Sequence, residues 1–125
     1  MKFFLLVILF FTHSISFAEW TKVSTNTDGH SFYVDFDRVK KNNGFVFFWR
    51  MSDYLVPMKS GVLSIKNYDQ VECSYPRYKT LSMIFYKESM GIGSGENYTP
   101  EEKWDYAPPN SSAESVLKRV CELIK

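Results

Sequence analysis

The sequence predicts an α+β domain: an antiparallel β-sheet of about six strands, with a C-terminal α-helix packed on one face and tethered there by a disulfide. Three observations carry this. Segment after segment alternates apolar and polar residues between turn signals, the period of a strand. The last segment changes to steps of three and four, the period of a helix. Finally, the only two cysteines, Cys73 and Cys121, fall on the apolar faces of one such strand and of that helix.

The elements follow in order. Residues 1–18 read as an export signal: Lys2, the apolar run Phe3–Phe11, and the small-x-small ending Ser16-Phe17-Ala18 that a signal peptidase cuts. The run is too short for a bilayer span, which takes about 20 residues, and no later stretch is apolar enough to anchor the chain. The mature protein is therefore expected to be exported and to begin near Glu19-Trp20 as a single domain, 19–125. Asp28-Gly29 marks a turn, and Ser31–Phe36 then alternates, with Phe32, Val34 and Phe36 on one face and Tyr33 and Asp35 on the other. Asn43-Gly44, a second turn, leads into Phe45–Tyr54, the clearest strand. Phe45, Phe47, Trp49 and Met51 share one of its faces; Phe48, Arg50, Ser52 and Tyr54 share the other. After Pro57 and Gly61, Val62–Cys73 places Leu63, Ile65, Val71 and Cys73 in phase. Arg77–Lys87 does the same for Leu81, Met83 and Phe85, Met90–Gly95 is a glycine-rich loop, and Lys103–Tyr106 a short strand.

Pro108-Pro109 halts that strand. Beyond it Ala113, Val116, Leu117, Val120, Cys121 and Ile124 line one helical face. Ser111 and Glu114 have the spacing of a capping box, and Lys118, Arg119 and Lys125 lie toward the carboxyl end, where positive charge suits the helix dipole. Cys121 on this face and Cys73 on its strand point into one layer. In an oxidising compartment an even pair points to a disulfide rather than to free thiols. The bond would pin the helix to the sheet.

Charge and residue types narrow the function. The formal net charge is +1, without the basic excess of a nucleic-acid binder. His30 is the single histidine after the signal, beside a turn and without the positioned acid and nucleophile of a hydrolytic site. One histidine and two paired cysteines cannot furnish the usual zinc ligands, and Asp35 and Asp37 resemble a solvated strand end more than a calcium loop. Gly91-Ile92-Gly93-Ser94-Gly95 lacks the helix that a phosphate-binding loop requires next. No enzyme activity, cofactor or metal is expected.

Aromatic content is the positive signal: 11 Phe, 8 Tyr and 3 Trp. With Phe32, Leu63 and Leu81 turned toward the helix, the opposite sheet face is predicted to carry Tyr33, Phe48, Arg50, Tyr54, Lys66, Tyr68, Tyr78 and Tyr86. Tyrosine with arginine is the composition of interface centres. This face is the candidate protein-binding surface, for a foreign protein or for a second copy of the chain.

An ordered set of landmarks runs through the whole mature chain: Trp20, Tyr33-Val34-Asp35, Asn43-Gly44, Trp49, Asp53-Tyr54 and Cys73, then Arg77-Tyr78, Leu81-Ser82, Tyr86, Met90-Gly91, Trp104-Asp105-Tyr106, Pro108-Pro109 and Cys121. The series resembles the surface-adhesin protein E family of small exported bacterial proteins. The resemblance implies a sheet of about six strands with a disulfide-tethered C-terminal helix, Cys73 and Cys121 forming the pair. It also implies adhesion through host extracellular-matrix or plasma proteins. The cleavage site carries no lipobox cysteine, so lipid anchoring is not expected. A location in the periplasm, with a role in envelope structure or assembly and possible self-association, stands beside one at the cell surface.

Overall fold

The computed structural model describes residues 19–124; the signal expected over residues 1–18 lies outside them. Eight strands form one antiparallel sheet. They are β1 (Thr21–Thr25), β2 (Ser31–Val34), β3 (Lys40–Asn42), β4 (Phe45–Asp53), β5 (Ser64–Glu72), β6 (Arg77–Tyr86), β7 (Glu96–Tyr98) and β8 (Asp105–Tyr106), followed by helix α1 (Ser112–Glu122). The main path runs β1-β2-β4-β5-β6-β7, with β3 beside one end of β4 and β8 beside one end of β6. The main path has the expected number of strands but not the expected set: the strand predicted over Lys103–Tyr106 is the off-path β8, while β7, just after the glycine-rich loop, and β3, just before the Asn43-Gly44 turn, lie where no strand was predicted.

Local chemistry explains the turns. Asn43 and Gly44 both have positive φ, 51° and 81°, the twist-compatible hairpin turn that Asn-Gly favours, and it folds β3 back on β4. Asn26 Oδ1 accepts from the backbone N–H groups of Asp28 and His30 at 3.1 and 3.0 Å, closing the β1–β2 turn. Two register shifts interrupt the ladder. One falls between Lys22 and Ser24 on edge strand β1. In the other, Tyr68 pairs with Ser82 but Asp69 pairs with Thr80, leaving Leu81 as an extra residue in β6. Such a bulge reverses the face on which the residues beyond it lie.

The core lies between α1 and one sheet face. Val34, Val46, Phe48 and Val71 meet Val116, Leu117 and Val120 there. Cys73 and Cys121 are joined, with Cα atoms 5.7 Å apart, so the predicted tether is present. The helix starts as its capping spacing predicts: Ser111 Oγ accepts from Glu114 N–H at 3.1 Å. The reciprocal half differs, because Ser111 N–H donates to the Pro108 carbonyl and the Glu114 carboxylate accepts from Asn110 N–H instead, at 3.4 Å.

Two buried carboxylates are satisfied within this layer. Asp35 accepts from Asp37 N–H at 3.2 Å and pairs with Arg38 at 3.3 Å. Asp69 pairs with Arg50 and accepts from Thr80 Oγ1 at 2.8 Å. No buried side-chain polar atom among the described residues lacks a partner.

Candidate protein-binding face

Register settles which side chains share the helix-free face. Directly opposed residues point the same way, so the pairs Tyr33–Met51, Trp49–Tyr68 and Met51–Lys66 place those residues together. Ser64–Tyr86 and Lys66–Ile84 extend the set across β6. Tyr33, Lys66 and Tyr68 therefore lie where expected; Tyr86 shares their face but is only 7% exposed, covered by the chain at Gly95. Four others lie elsewhere. Phe48 has no exposed surface and sits in the core beneath α1. Arg50 and Tyr78 face the helix side as well, Arg50 opposite Val34 and Tyr78 opposite Val71. Tyr54, just beyond β4 in the phase of Arg50, meets His30 edge-on at 5.1 Å.

Each correction has a physical reason. β4 is apolar on both faces, so alternation divides its residues into two sets without saying which set faces the core. In β6, the Leu81 bulge separates Tyr78 from Tyr86, which strict alternation would have kept together. The same corrections bring in residues assigned to the core side: Phe45, Phe47 and Trp49 lie on the helix-free face. Three large aromatics at every second position were the available signal for this stripe. Trp104, outside any strand, joins it and had no periodicity to mark it.

The rings form a band across the sheet. Trp49 and Tyr68 lie 5.0 Å apart between centroids, Phe47 and Tyr68 6.2 Å, and Phe45 and Trp104 6.0 Å, all within the range of favourable aromatic pairs. Cations lie over the rings. Arg77 and Lys79 approach Trp104 at 4.2 and 4.6 Å, Lys66 lies 4.8 Å from Tyr86 and 5.7 Å from Trp20, and Lys22 lies 5.8 Å from Tyr33. Each contact draws charge toward the ring quadrupole. Most of these rings are neither buried nor fully exposed. Arg77 also forms a two-nitrogen contact with Glu72, at 2.9 and 3.2 Å, and that hydrogen bond holds its guanidinium firmly protonated.

One end of the band is closed by a latched turn. Asp53 accepts from Ser89 Oγ at 2.9 Å and from Met90 N–H at 2.8 Å. Ser64, fully buried, donates to the Glu88 carbonyl at 2.6 Å and accepts from Gly91 N–H at 2.8 Å. Gly91 has φ +64°, and a side chain there would run into Lys66, so glycine lets the turn lie against the face. At the same end Leu55, Val56 and Ile92 are exposed by 62–69%. His30 Nδ1 accepts from Leu55 N–H at 3.1 Å, tying the β1–β2 turn to that loop.

Fold and surface together define a class: a disulfide-tethered sheet-and-helix domain whose uncovered sheet face is aromatic and cation-studded. The sequence profile of the surface-adhesin protein E family matches residues 20–122, and the chain belongs to that family. The structure is similar to those of Haemophilus influenzae protein E. One crystal form of that protein aligns with a TM-score of 0.61 at 16% identity, over 83% of this chain and 87% of that one. Protein E from a non-typeable Haemophilus influenzae aligns with a TM-score of 0.56 at 16% identity, over 87% and 79%. Among curated proteins no match is found. At this identity the likeness is one of fold.

Proposed function

We propose that the protein is an exported, non-enzymatic adhesin that binds a host extracellular-matrix or plasma protein through the helix-free sheet face. The observation that carries this reading is the band Trp104–Phe45–Phe47–Tyr68–Trp49 with its flanking Arg77, Lys79 and Lys66, on a member of a surface-adhesin family. Tryptophan, tyrosine and arginine dominate binding energy at protein interfaces because they remove large areas from water while keeping a polar or charged end. Tyr33, Tyr68 and Lys66 remain binding candidates; Tyr86 is buried beneath the chain at Gly95, and Phe48, Arg50, Tyr54 and Tyr78 do not belong to this face.

The test is adsorption of the purified mature domain to immobilised matrix and plasma proteins, with Trp49→Ala/Tyr68→Ala as the face variant. Binding that weakens at least tenfold, with the cooperative unfolding transition kept, supports the reading. Undiminished binding refutes the face. Protease treatment of intact against permeabilised cells addresses location: protection until permeabilisation would direct the search to envelope partners instead.

A further inference from the structure

The helix side holds a second feature that adhesion through the opposite face does not use. A cavity of about 70 Å³ lies where the first turn of α1 meets the sheet, lined by Phe32, Phe48, Arg50, Tyr78, Ala113 and Leu117, with Asp69 at its edge. It has an apolar floor and one cationic wall.

Arg50 is held from one side only. Its Nε donates to Asp69, which is itself fixed by Thr80. Among the described residues no other acceptor meets the guanidinium, which leaves both terminal nitrogens free. No buried side-chain polar atom is unpaired, so these nitrogens are reachable from solvent; the side chain as a whole keeps 24% exposure. Burial alone would weaken the proton's hold, but the charge and hydrogen bond of Asp69 outweigh it and keep Arg50 cationic. A guanidinium pinned through Nε presents the edge that carboxylates grip in a two-point fashion. Tyr78 adds a phenol that burial keeps protonated, an available donor beside the same cavity.

From this geometry we infer that the cavity binds a carboxylate on a short apolar stem, the carboxylate against the free edge of Arg50 and the stem against Phe32, Phe48 and Leu117. The cavity is small and lined mainly by apolar side chains around Arg50, which suits a carboxylate on a short apolar stem. Asp69 cancels much of the charge of Arg50, so a second acid binds weakly and depends on the stem for part of its affinity. Such a group occurs in free short-chain organic acids and at the carboxyl terminus of a polypeptide ending in a small residue.

The experiment titrates the folded domain with sodium propionate, propionamide, and a short peptide ending in alanine with a free or amidated terminus. Binding is read from amide shifts of Ala113 and Val116 and from the Arg50 Nε–H resonance. Saturable shifts with the acid, at least tenfold weaker with the amide, are expected. Tighter binding of the free-terminus peptide than of propionate identifies a polypeptide end as the source; the reverse identifies a small acid. Ala113→Leu fills the cavity from a helical position that leucine suits and leaves the Arg50–Asp69 pair intact, so it should abolish the shifts while the rest of the spectrum is kept. Equal response to acid and amide, no saturation by 100 mM, or unchanged binding in Ala113→Leu would overturn the inference.

Discussion

Removing the tether between Cys73 and Cys121 has a magnitude that follows from chain length. The two residues are 48 apart in sequence, and freeing a loop of that size in the unfolded chain costs the folded state about 4 kcal/mol in the chain-entropy treatment. That is a large part of the roughly 5–15 kcal/mol available to a domain. With a urea slope of about 1–1.5 kcal/mol/M for a chain of this size, the midpoint of Cys73→Ala/Cys121→Ala should fall by roughly 3 M. The folded double variant should nonetheless keep its helix docked. Val116, Leu117 and Val120 are at most 6% exposed, and burying each such side chain contributes about 1.5–3 kcal/mol. The assay is urea unfolding followed by far-ultraviolet circular dichroism, with limited proteolysis under native conditions. A midpoint shift below about 0.5 M would refute the argument that the bond acts through the unfolded chain. Rapid cleavage after Lys118 or Arg119 in the native double variant would show that packing does not hold the helix.

Three further outcomes are expected. Phe48→Ala should cost about 3–5 kcal/mol, the usual price of emptying a core aromatic position, whereas Trp49→Ala one residue away should cost clearly less and act on binding; equal losses in chemical denaturation would mean that the two faces of β4 are misassigned. Asp69→Asn leaves Arg50 charged and largely enclosed without its anion, and a loss of about 2–3 kcal/mol is expected, below the 3–5 of a fully buried pair because Arg50 is partly solvated; no measurable change would mean that water replaces the carboxylate. Glu114 is held below the ordinary carboxylate range by its hydrogen bond from Lys118 and by Asn110 N–H. A depressed acid stabilises the fold above its unfolded pKa and loses that effect as pH falls through the folded value, so helix stability should decline on acidification in the parent and less so in Glu114→Gln, as followed by circular dichroism.

How much of this was legible in the sequence depended on whether a segment has one apolar face or two. The helix was readable because Val116, Leu117, Val120 and Cys121 form one stripe with charged residues opposite. β5 was readable because Ile65, Val71 and Cys73 agree in phase. β4 was not, since Val46 and Phe48 on one face and Phe45, Phe47 and Trp49 on the other are equally apolar. Its orientation is set by pairing with β5, where Val46 meets Val71, a long-range fact that no local window contains. Tyr78 was lost to one extra residue, Leu81, and nothing in Lys79-Thr80-Leu81-Ser82 announces a bulge. The cavity at Arg50 is likewise a product of tertiary placement: it needs β4, β5, β6 and the first turn of α1 to meet.

The two apolar faces of β4 also bear on why the surface takes its form. One helix covers one face of a sheet, and antiparallel sheets usually make the other face polar. Here that face keeps Phe45, Phe47, Trp49, Tyr68 and Trp104. Apolar area left in water forgoes about 25 cal/mol per Å², so a face chosen for stability alone would not keep such rings half-covered. Lys22, Lys66, Arg77 and Lys79 lie over rings at this surface, bringing charge to it and limiting the self-association that bare aromatics invite. A partner that displaces the alkyl stems of these cations would bury the rings and release the charges to its own acidic groups. Binding through this face should therefore combine burial of the aromatic band with a dependence on salt, and the two can be separated. Trp49→Ala should weaken binding at every ionic strength, whereas Lys66→Met should flatten the salt dependence; salt-independent binding by the parent domain would remove the cations from the mechanism.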